Sequence, residues 1–288
     1  MKKILITGAN GQLGSELRTL TENNNNNKYF YTDVKDLDIC DIEAVDKFIT
    51  DHKIEVIINC AAYTAVDKAE EDEETAYQIN AIGPKNLAET AAKHDAQIIS
   101  ISTDYVFSGG KDSAYYESDM CKPVTAYGRT KRSGEKFIQK SGCKGIIIRT
   151  AWLYSIYGNN FVKTMLKLGI EKDTLSVVYD QIGSPTWAKD LAEAILKIIP
   201  QLFENDRYGE VFHYTNEGEC SWAEFADKIM TNGHIKCEIV PISTDDYPTL
   251  AYRPKNSVLD KSLIQSAFNI KIPKWERSLS RMMRLLNK

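Results

Sequence analysis

The sequence predicts an α/β protein, a doubly wound parallel sheet with a smaller C-terminal lobe, and three observations carry that expectation. Residues 2–7 form a short β-rich run, followed at once by three regularly spaced glycines and a helical pattern. Similar β-rich runs then alternate with helical patterns through the first 150 residues, the rhythm of parallel strands joined by crossover helices. The polar residues that could carry chemistry fall after the ends of those runs, where ligands bind in open parallel sheets.

Taken in order, the first run opens into Gly8-Ala9-Asn10-Gly11-Gln12-Leu13-Gly14 and then a helix over residues 15–20. Glycines permit a tight turn and a close backbone approach, and a helix N-terminus offers unpaired N–H groups, so strand, turn and helix together suit a pyrophosphate. The spacing is Gly-x-x-Gly-x-x-Gly, which departs from the commonest dinucleotide fingerprint. Asn23 to Asn27 is a homopolymer loop between this helix and a second strand at residues 29–34. Asp33 closes that strand about 20 residues after the glycines, where an acidic side chain can meet a ribose. Asp38 and Ile39 follow. An acceptor beside an apolar cover suits an adenine, although Asp is equally a loop and cap residue.

Residues 42–51 have helical periodicity and residues 55–61 form a third, buried strand, ending in Ala62, Tyr63 and Thr64, small enough at its start to let a flat ligand lie against the backbone. Residues 66–74 are charged enough to be solvated, and a long helix over 75–94 carries Asn80. The fourth strand, 97–102, delivers Thr103 and Asp104, and a loop over 108–124 leads to the helix containing Tyr127 and Lys131. A fifth strand, 144–149, ends near Trp152. Beyond it the rhythm continues with a helix opened by Asn160, a turn over 180–186, an amphipathic stretch over 187–199 and strands at 208–214 and 238–242. Ser221 is a candidate helix cap, and Arg253 precedes a final helical pair. No linker rich in Pro, Gly or Ser separates the halves. Residues 1–150 read as the main nucleotide-binding part and 151–288 mainly as the smaller lobe, with some segments returning to the sheet.

Tyr127 and Lys131 are four residues apart on a helix and share one face. An unperturbed phenol ionises near pH ~10, and a nearby ammonium favours its phenolate, so the pair forms an acid/base device with the Thr103 hydroxyl beside it. An isolated Tyr-x-x-x-Lys is more often a solvated helix face; here the glycine turn and the ends of the strands supply context.

The 288 residues hold 36 basic and 40 acidic side chains, a net charge of −4, which argues against nucleic acid or an anionic membrane as the main partner. No apolar run of ~20 residues occurs and the N-terminal run is too short for a signal peptide, so a soluble cytoplasmic protein is expected. Six widely spaced cysteines without Cys-x-x-Cys pairs suggest reduced packing residues, with neither zinc nor disulfides.

The stretches Thr7 to Gly14, Asn59 to Ala69, Ser102 to Phe107, Tyr127-x-x-x-Lys131, Arg149 to Trp152, Asp180 to Thr186 and Arg253 to Ser257 together resemble the extended short-chain dehydrogenase/reductases, and within them the dTDP-4-dehydrorhamnose reductase family. The similarity spans nearly the whole chain. Its last three stretches and the run Ala65 to Glu70 are specific to that group. The resemblance implies a Rossmann domain that binds NADPH, with a substrate-binding C-terminal lobe over a nucleotide-linked 4-keto sugar. The implied reaction reduces the C4 keto group of dTDP-4-dehydro-L-rhamnose to dTDP-L-rhamnose, for cell-surface polysaccharide. Carried over by position, Tyr127 is the proton donor, Lys131 tunes it and holds the cofactor ribose, and Thr103 adjusts hydrogen bonding at O4. Gly8, Gly11, Gln12, Leu13, Gly14, Asp33, Asp38, Ile39, Ala62, Tyr63 and Thr64 match cofactor positions, and Thr103, Asp104, Trp152 and Arg253 match substrate positions.

Asp33 with Lys35 close behind is a mixed signal, the first favouring a free ribose 2′-OH and the second a 2′-phosphate, so use of NADH beside NADPH is expected. Some relatives dimerise through magnesium held by three carboxylates. Here Glu16 matches one position, Lys189 replaces the second with Asp190 one residue late, and no acidic residue follows Glu276, so a metal-independent monomer is expected with Glu16 as a solvated first-turn carboxylate. Two alternatives stay open: a nucleotide-sugar epimerase or dehydratase, and a non-catalytic reductase-like regulatory subunit.

Overall fold

The computed structural model describes residues 1–23 and 26–286, so Asn24 and Asn25 of the homopolymer loop lie outside the described residues. The first half runs β1 (Lys3–Thr7), α1 (Gln12–Thr21), β2 (Lys28–Thr32), α2 (Ile42–His52), β3 (Val56–Asn59), α3 (Val66–Glu71), α4 (Glu73–Tyr77), a π-helical turn (Gln78–Ile82), α5 (Gly83–Lys93), β4 (Gln97–Thr103), α6 (Ala126–Lys140) and β5 (Lys144–Thr150). The second half adds β6 (Leu153–Tyr154), α7 (Phe161–Glu171), β7 (Thr174–Val178), β8 (Ile182–Gly183), β9 (Thr186–Trp187), α8 (Ala188–Gln201) and β10 (Tyr208–His213). It ends with β11 (Cys220–Ser221), α9 (Trp222–Gly233), β12 (Glu238–Ile242), α10 (Ser262–Phe268) and α11 (Trp275–Leu286).

Six strands make one parallel sheet in the order β10-β5-β4-β3-β1-β2. Its strands are apolar because helices cover both faces: Ile4, Leu5 and Ile6 of β1 are all fully buried. Leu13 and Leu17 of α1, Leu191 and Ile195 of α8 and Ile264 and Phe268 of α10 pack on one face. Val45 and Ile49 of α2, Leu87 and Ala91 of α5 and Ile138 of α6 cover the other. The strand order reverses between β1 and β3, the point at which a crevice opens in such sheets. A separate core gathers α7, β7, α9 and α11 around Met165, Phe225, Ile229, Trp275 and Leu279. Strand β10, α8 and α10 come from the second half of the sequence yet belong to the large sheet layer.

Three local readings are corrected. The charged stretch 66–74 is helical and packs on α6: Ala69 and Ala76 are buried with Ala126, while Glu70 accepts from the Ala126 N–H at 2.8 Å and Arg129 Nε donates to Glu73 at 3.0 Å. The side chains of Glu71 to Glu74 remain exposed, as expected, so the correction concerns the helical packing of the stretch and not its solvation. The turn expected over 180–186 contains β8 and β9, short strands paired to β11 and β6, and such two-residue runs leave no periodic signal. The helix over 75–94 is interrupted by the π-helical turn, which places Asn80 inward; local sequence does not encode such an insertion. No helix among the described residues is long and apolar enough to cross a membrane, and all six cysteines are free.

The turn after β1 depends on missing side chains. A Cβ on Gly14 would lie 2.4 Å from the Gly8 carbonyl oxygen and 2.6 Å from Ala9 Cα, both rigid backbone. Gly14→Ala is therefore expected to destabilise the fold by about 1–3 kcal/mol, the usual range for overpacking, read as a lower urea midpoint at unchanged slope; an unchanged midpoint would show that α1 does not need this close approach to β1.

Candidate functional site

The glycine turn sits at the carboxyl end of β1, beside the chain leaving β3. Gly8 has φ +62°, and a Cβ there would lie 2.6 Å from the Ala61 nitrogen, so only glycine fits both the conformation and the neighbour. Gly11 precedes α1 as an N-cap with no side-chain cap, as is also the case at α3, α5, α8 and α10, whereas Asp41, Asp72, Thr125, Asn160 and Ser221 cap α2, α4, α6, α7 and α9. The first-turn N–H groups at Gln12, Leu13 and Gly14 thus lack a side-chain acceptor, as an anion site requires. Gln12 also bridges to the second half of the chain, its Oε1 accepting from Asn160 Nδ2 at 3.1 Å.

The other residues expected at a nucleotide site line the same edge. Asp33, just past β2, accepts from the Asn10 N–H at 3.1 Å and so braces the glycine turn. Asp38 is exposed and accepts from the Cys40 N–H at 2.9 Å; Ile39 is buried, its carbonyl held by Asn86 Nδ2 at 3.0 Å. The strip Ala62, Tyr63 and Thr64 is partly open, and Asn80 fixes it: Asn80 Oδ1 accepts from the Tyr63 N–H at 2.9 Å, while Nδ2 donates to the Tyr63 carbonyl at 3.0 Å and to Thr130 Oγ1 at 3.2 Å. Below it a buried polar ladder joins three strand ends, Thr7 donating to Asn59 at 2.8 Å and Asn59 to Ser100 at 3.2 Å. The sequence reading passed over Asn59 and gave Asn80 no role, since both look like ordinary polar residues until the strand ends meet.

Helix α6 begins at a Thr125 cap and presents Tyr127, Lys131 and Glu135 at four-residue intervals. Lys131 is buried, and its Nζ donates to the Ile101 carbonyl at 2.7 Å. Burial lowers its pKa to about 8 against an ordinary 10.5, with the Glu135 carboxylate opposing the shift. Desolvation pushes the Tyr127 phenol above its ordinary value, partly offset by a hydrogen bond to Thr103. The expectation that Lys131 draws the phenol down toward neutrality is thereby corrected. Burial is the largest influence on the phenol and Lys131 is not among the others, so at neutral pH the phenol keeps its proton.

Thr103 orders this hydroxyl chain. Its Oγ1 donates to Asp104 Oδ1 at 2.9 Å and accepts from the Tyr105 N–H at 3.2 Å. Burial raises Asp104 to about 6, and its Oδ2, like Thr150 Oγ1, has no hydrogen-bond partner among the described residues. The Tyr105 ring meets that of Tyr127 edge-on at 5.5 Å. Glu135, on the core side, accepts from Arg149 at 2.7 and 2.8 Å and from Ser102 Oγ at 2.6 Å.

Trp152 lies two residues past β5, half-buried and in the left-handed region at φ +49°. Arg253 reaches back to the first half of the chain, pairing with Asp67 on α3 and donating to Tyr105 at 3.4 Å. The structure therefore gathers the glycine turn, the β3 exit, Thr103, Asp104, Tyr127 and Lys131 along one sheet edge, while Arg253 is engaged by a carboxylate that the sequence reading had taken as solvated.

Glu16 is corrected too. It is 2% exposed, accepts from Ser155 Oγ at 2.6 Å and has its pKa raised by burial, because α1 turns this residue toward the β6–α7 connection instead of toward solvent. Asp190 is likewise buried and accepts from Asn216 Nδ2 at 2.9 Å, Arg281 at 3.4 Å and Ser278.

Residues 1–287 match the family model described as RmlD substrate binding domain. A dTDP-4-dehydrorhamnose reductase of Aggregatibacter actinomycetemcomitans is 44% identical over 97% of each chain. Among solved structures, a dTDP-4-dehydrorhamnose reductase from Clostridium acetobutylicum superposes with TM-score 0.94 at 46% identity, covering 99% of this chain and 100% of the other. One from Bacillus anthracis, in complex with NADP, gives TM-score 0.93 at 41% identity over 99% of this chain and 100% of the other. With sequence identity and shape agreeing along the full length, the chain belongs to the RmlD substrate binding domain family.

Proposed function

We propose that this protein is an NADPH-dependent reductase of the C4 keto group of dTDP-4-dehydro-L-rhamnose, giving dTDP-L-rhamnose for cell-surface polysaccharide. The observation that carries the reading is the gathering of Thr103, Tyr127 and the buried Lys131 on the same sheet edge as a glycine turn whose helix has no side-chain cap. The relatives named above share this activity by name, and one holds NADP. An epimerase or dehydratase is disfavoured by the stretches Asp180 to Thr186 and Arg253 to Ser257, and a purely binding role by the intact Thr103, Tyr127 and Lys131.

NADPH fits the residues present: the glycine cradle and the uncapped first turn of α1 take its pyrophosphate, Asp33, Asp38 and Ile39 its adenosine end, and Ala62, Tyr63 and Thr64 the strip toward the nicotinamide, where the bound cofactor supplies the hydride. The protein's own work is the proton. As the keto carbon is reduced, its oxygen gains negative charge and Tyr127 delivers the phenolic proton to it, leaving a hydroxyl. Lys131 stabilises the phenolate so formed, and Asp104 holds the Thr103 hydroxyl in place beside the reacting oxygen. Asp104 Oδ2 and Thr150 Oγ1, buried without partners, are suited to sugar hydroxyls, since an unmet buried acceptor gains most from a new donor. Trp152 supplies an apolar wall. Arg253 acts by closing the C-terminal segment over the site through Asp67. Residues 1–150 would then serve mainly the cofactor and 151–288 mainly the sugar nucleotide, in the cytoplasm.

Adding NADPH and dTDP-4-dehydro-L-rhamnose should give a steady loss of reduced-nicotinamide absorbance. Tyr127→Phe should lower kcat by roughly 100-fold or more while leaving NADPH affinity near wild type. Full turnover in that variant would remove Tyr127 from the proposed role.

Lys131 sets a pH limit. It is charged below about 8, so kcat/KM for NADPH should be level at lower pH and fall as pH rises through that value. Stability should move the opposite way. Between about 8 and 10.5 the unfolded chain retains a proton that the folded chain has released, so unfolding becomes harder as pH climbs through that window. A level rate up to pH 9.5 would mean that the ammonium is not required.

We also propose a monomer that needs no metal. Glu16 and Asp190 already accept hydrogen bonds from the protein, and an ammonium at Lys189 opposes a hard dication. Light scattering should return the monomer mass with and without EDTA; a dimer that dissociates on chelation would refute this.

A further inference from the structure

Among the described residues, Trp152 is one of five non-glycine residues with positive φ, and it is the bulkiest of them. A bulky side chain holds such a conformation only where its surroundings over-determine it. Three contacts do so. The Trp152 carbonyl accepts from the Thr186 N–H at 3.0 Å, fixing the backbone. The indole lies face to face on Trp222, with centroids 3.6 Å apart and planes 10° from parallel. Beneath it is Gly183, where an added Cβ would come within 2.5 Å of Trp152 Cε2 and 2.7 Å of Cζ2.

Trp222 is itself held in place. It opens α9 directly after Ser221, whose capping box with Glu224 fixes that end of the helix. Strand β11 pairs Cys220 with Gly183 and Ser221 with Ile182, so one two-residue ladder sets both the glycine beneath the indole and the helix that carries its partner. Phe161 packs on the far ring at 4.5 Å. The small lobe therefore delivers a preformed slot, one indole wide, to the end of β5.

We infer that Trp222 and Gly183 are positioning residues for sugar-nucleotide binding: the stack of Trp222 on Trp152, over a glycine that leaves room for the ring, holds the Trp152 indole in its strained orientation. The inference rests on the reading of Trp152 as a substrate contact. Neither residue needs to touch the substrate. Their effect passes through the Trp152 ring, and it falls on binding rather than on the proton transfer at Tyr127.

Two indoles in contact couple their excited states, and a twist between their in-plane axes turns that coupling into an exciton couplet in circular dichroism. Of the four tryptophans only Trp152 and Trp222 stack on one another. Trp222→Leu should abolish that couplet and raise KM for the 4-keto sugar nucleotide roughly 3- to 10-fold, the worth of one aromatic pair. It should leave kcat and NADPH affinity within about 2-fold, the pattern of lost uniform binding. Trp222→Phe keeps a ring in the slot and should restore KM without restoring the couplet. Gly183→Ala crowds Trp152 and, at 2.7 Å, the Ser257 hydroxyl while leaving Trp222 intact; it should raise KM in the same way, and combined with Ser257→Ala to relieve the second clash it carries the test if Trp222→Leu does not fold. A lost couplet with wild-type KM in Trp222→Leu, or wild-type KM in Gly183→Ala, would overturn the inference. Trp152→Leu separates it from the reading beneath: unchanged KM there removes Trp152 as a substrate contact, whereas raised KM there with wild-type KM in Trp222→Leu removes only the positioning role.

Discussion

The site depends first on a buried carboxylate. Glu135 lies on the core side of α6 and accepts from Arg149 on β5 and Ser102 on β4, with Arg132 of its own helix closing the set. A charge removed from water is tolerated only when its lone pairs are met, and losing one partner of such a pair typically costs about 3–5 kcal/mol. The constraint is geometric as well as energetic. With Glu135 fixed to two strands, α6 cannot rotate about its axis, and Lys131 and Tyr127, one and two turns earlier on the same face, are carried to the strand ends. The same carboxylate keeps Lys131 charged against burial. One side chain thus fixes the position of Tyr127 and favours the charged form of Lys131.

The two halves of the chain are joined at the same edge. From α1, Gln12 accepts from Asn160, Glu16 accepts from Ser155 and Thr19 bonds Tyr157 at 2.7 Å, so successive turns of the helix that begins at the glycine turn grip the connection between β6 and α7. On the other side, Asp67 accepts from the Ala251 N–H at 3.0 Å and pairs with Arg253. A sugar nucleotide and a dinucleotide must meet within bonding distance of one phenol. Polar contacts on both flanks hold the walls of that space together without filling it with an apolar seam.

Strain and unmet polarity accumulate at this edge and not elsewhere along β4 and β5. Asp104 Oδ2 and Thr150 Oγ1 are buried without partners, and Trp152 is held in a conformation that a large side chain avoids. Each is unfavourable for folding alone. Their convergence with the uncapped start of α1 is what a site shaped for a polar ligand looks like before the ligand arrives.

By itself the sequence determined the parallel α/β architecture, because strands buried on both faces read as unbroken apolar runs and glycine turns mark their exits. It also singled out Gly8 with Gly14 and Tyr127 with Lys131 as candidates, since the spacing within each pair is local and survives without knowledge of neighbours. Tertiary structure decided the rest. That Glu16 is buried, that the carboxylates of 66–74 bond α6 and Arg253, that Asn80 braces Tyr63 and that Trp222 stacks on Trp152 are contacts between residues 17 to 186 positions apart. Tertiary structure also set the direction in which the Tyr127 phenol shifts, for a phenol's pKa depends on the water it loses and the charges it meets, and both depend on what the fold packs around it.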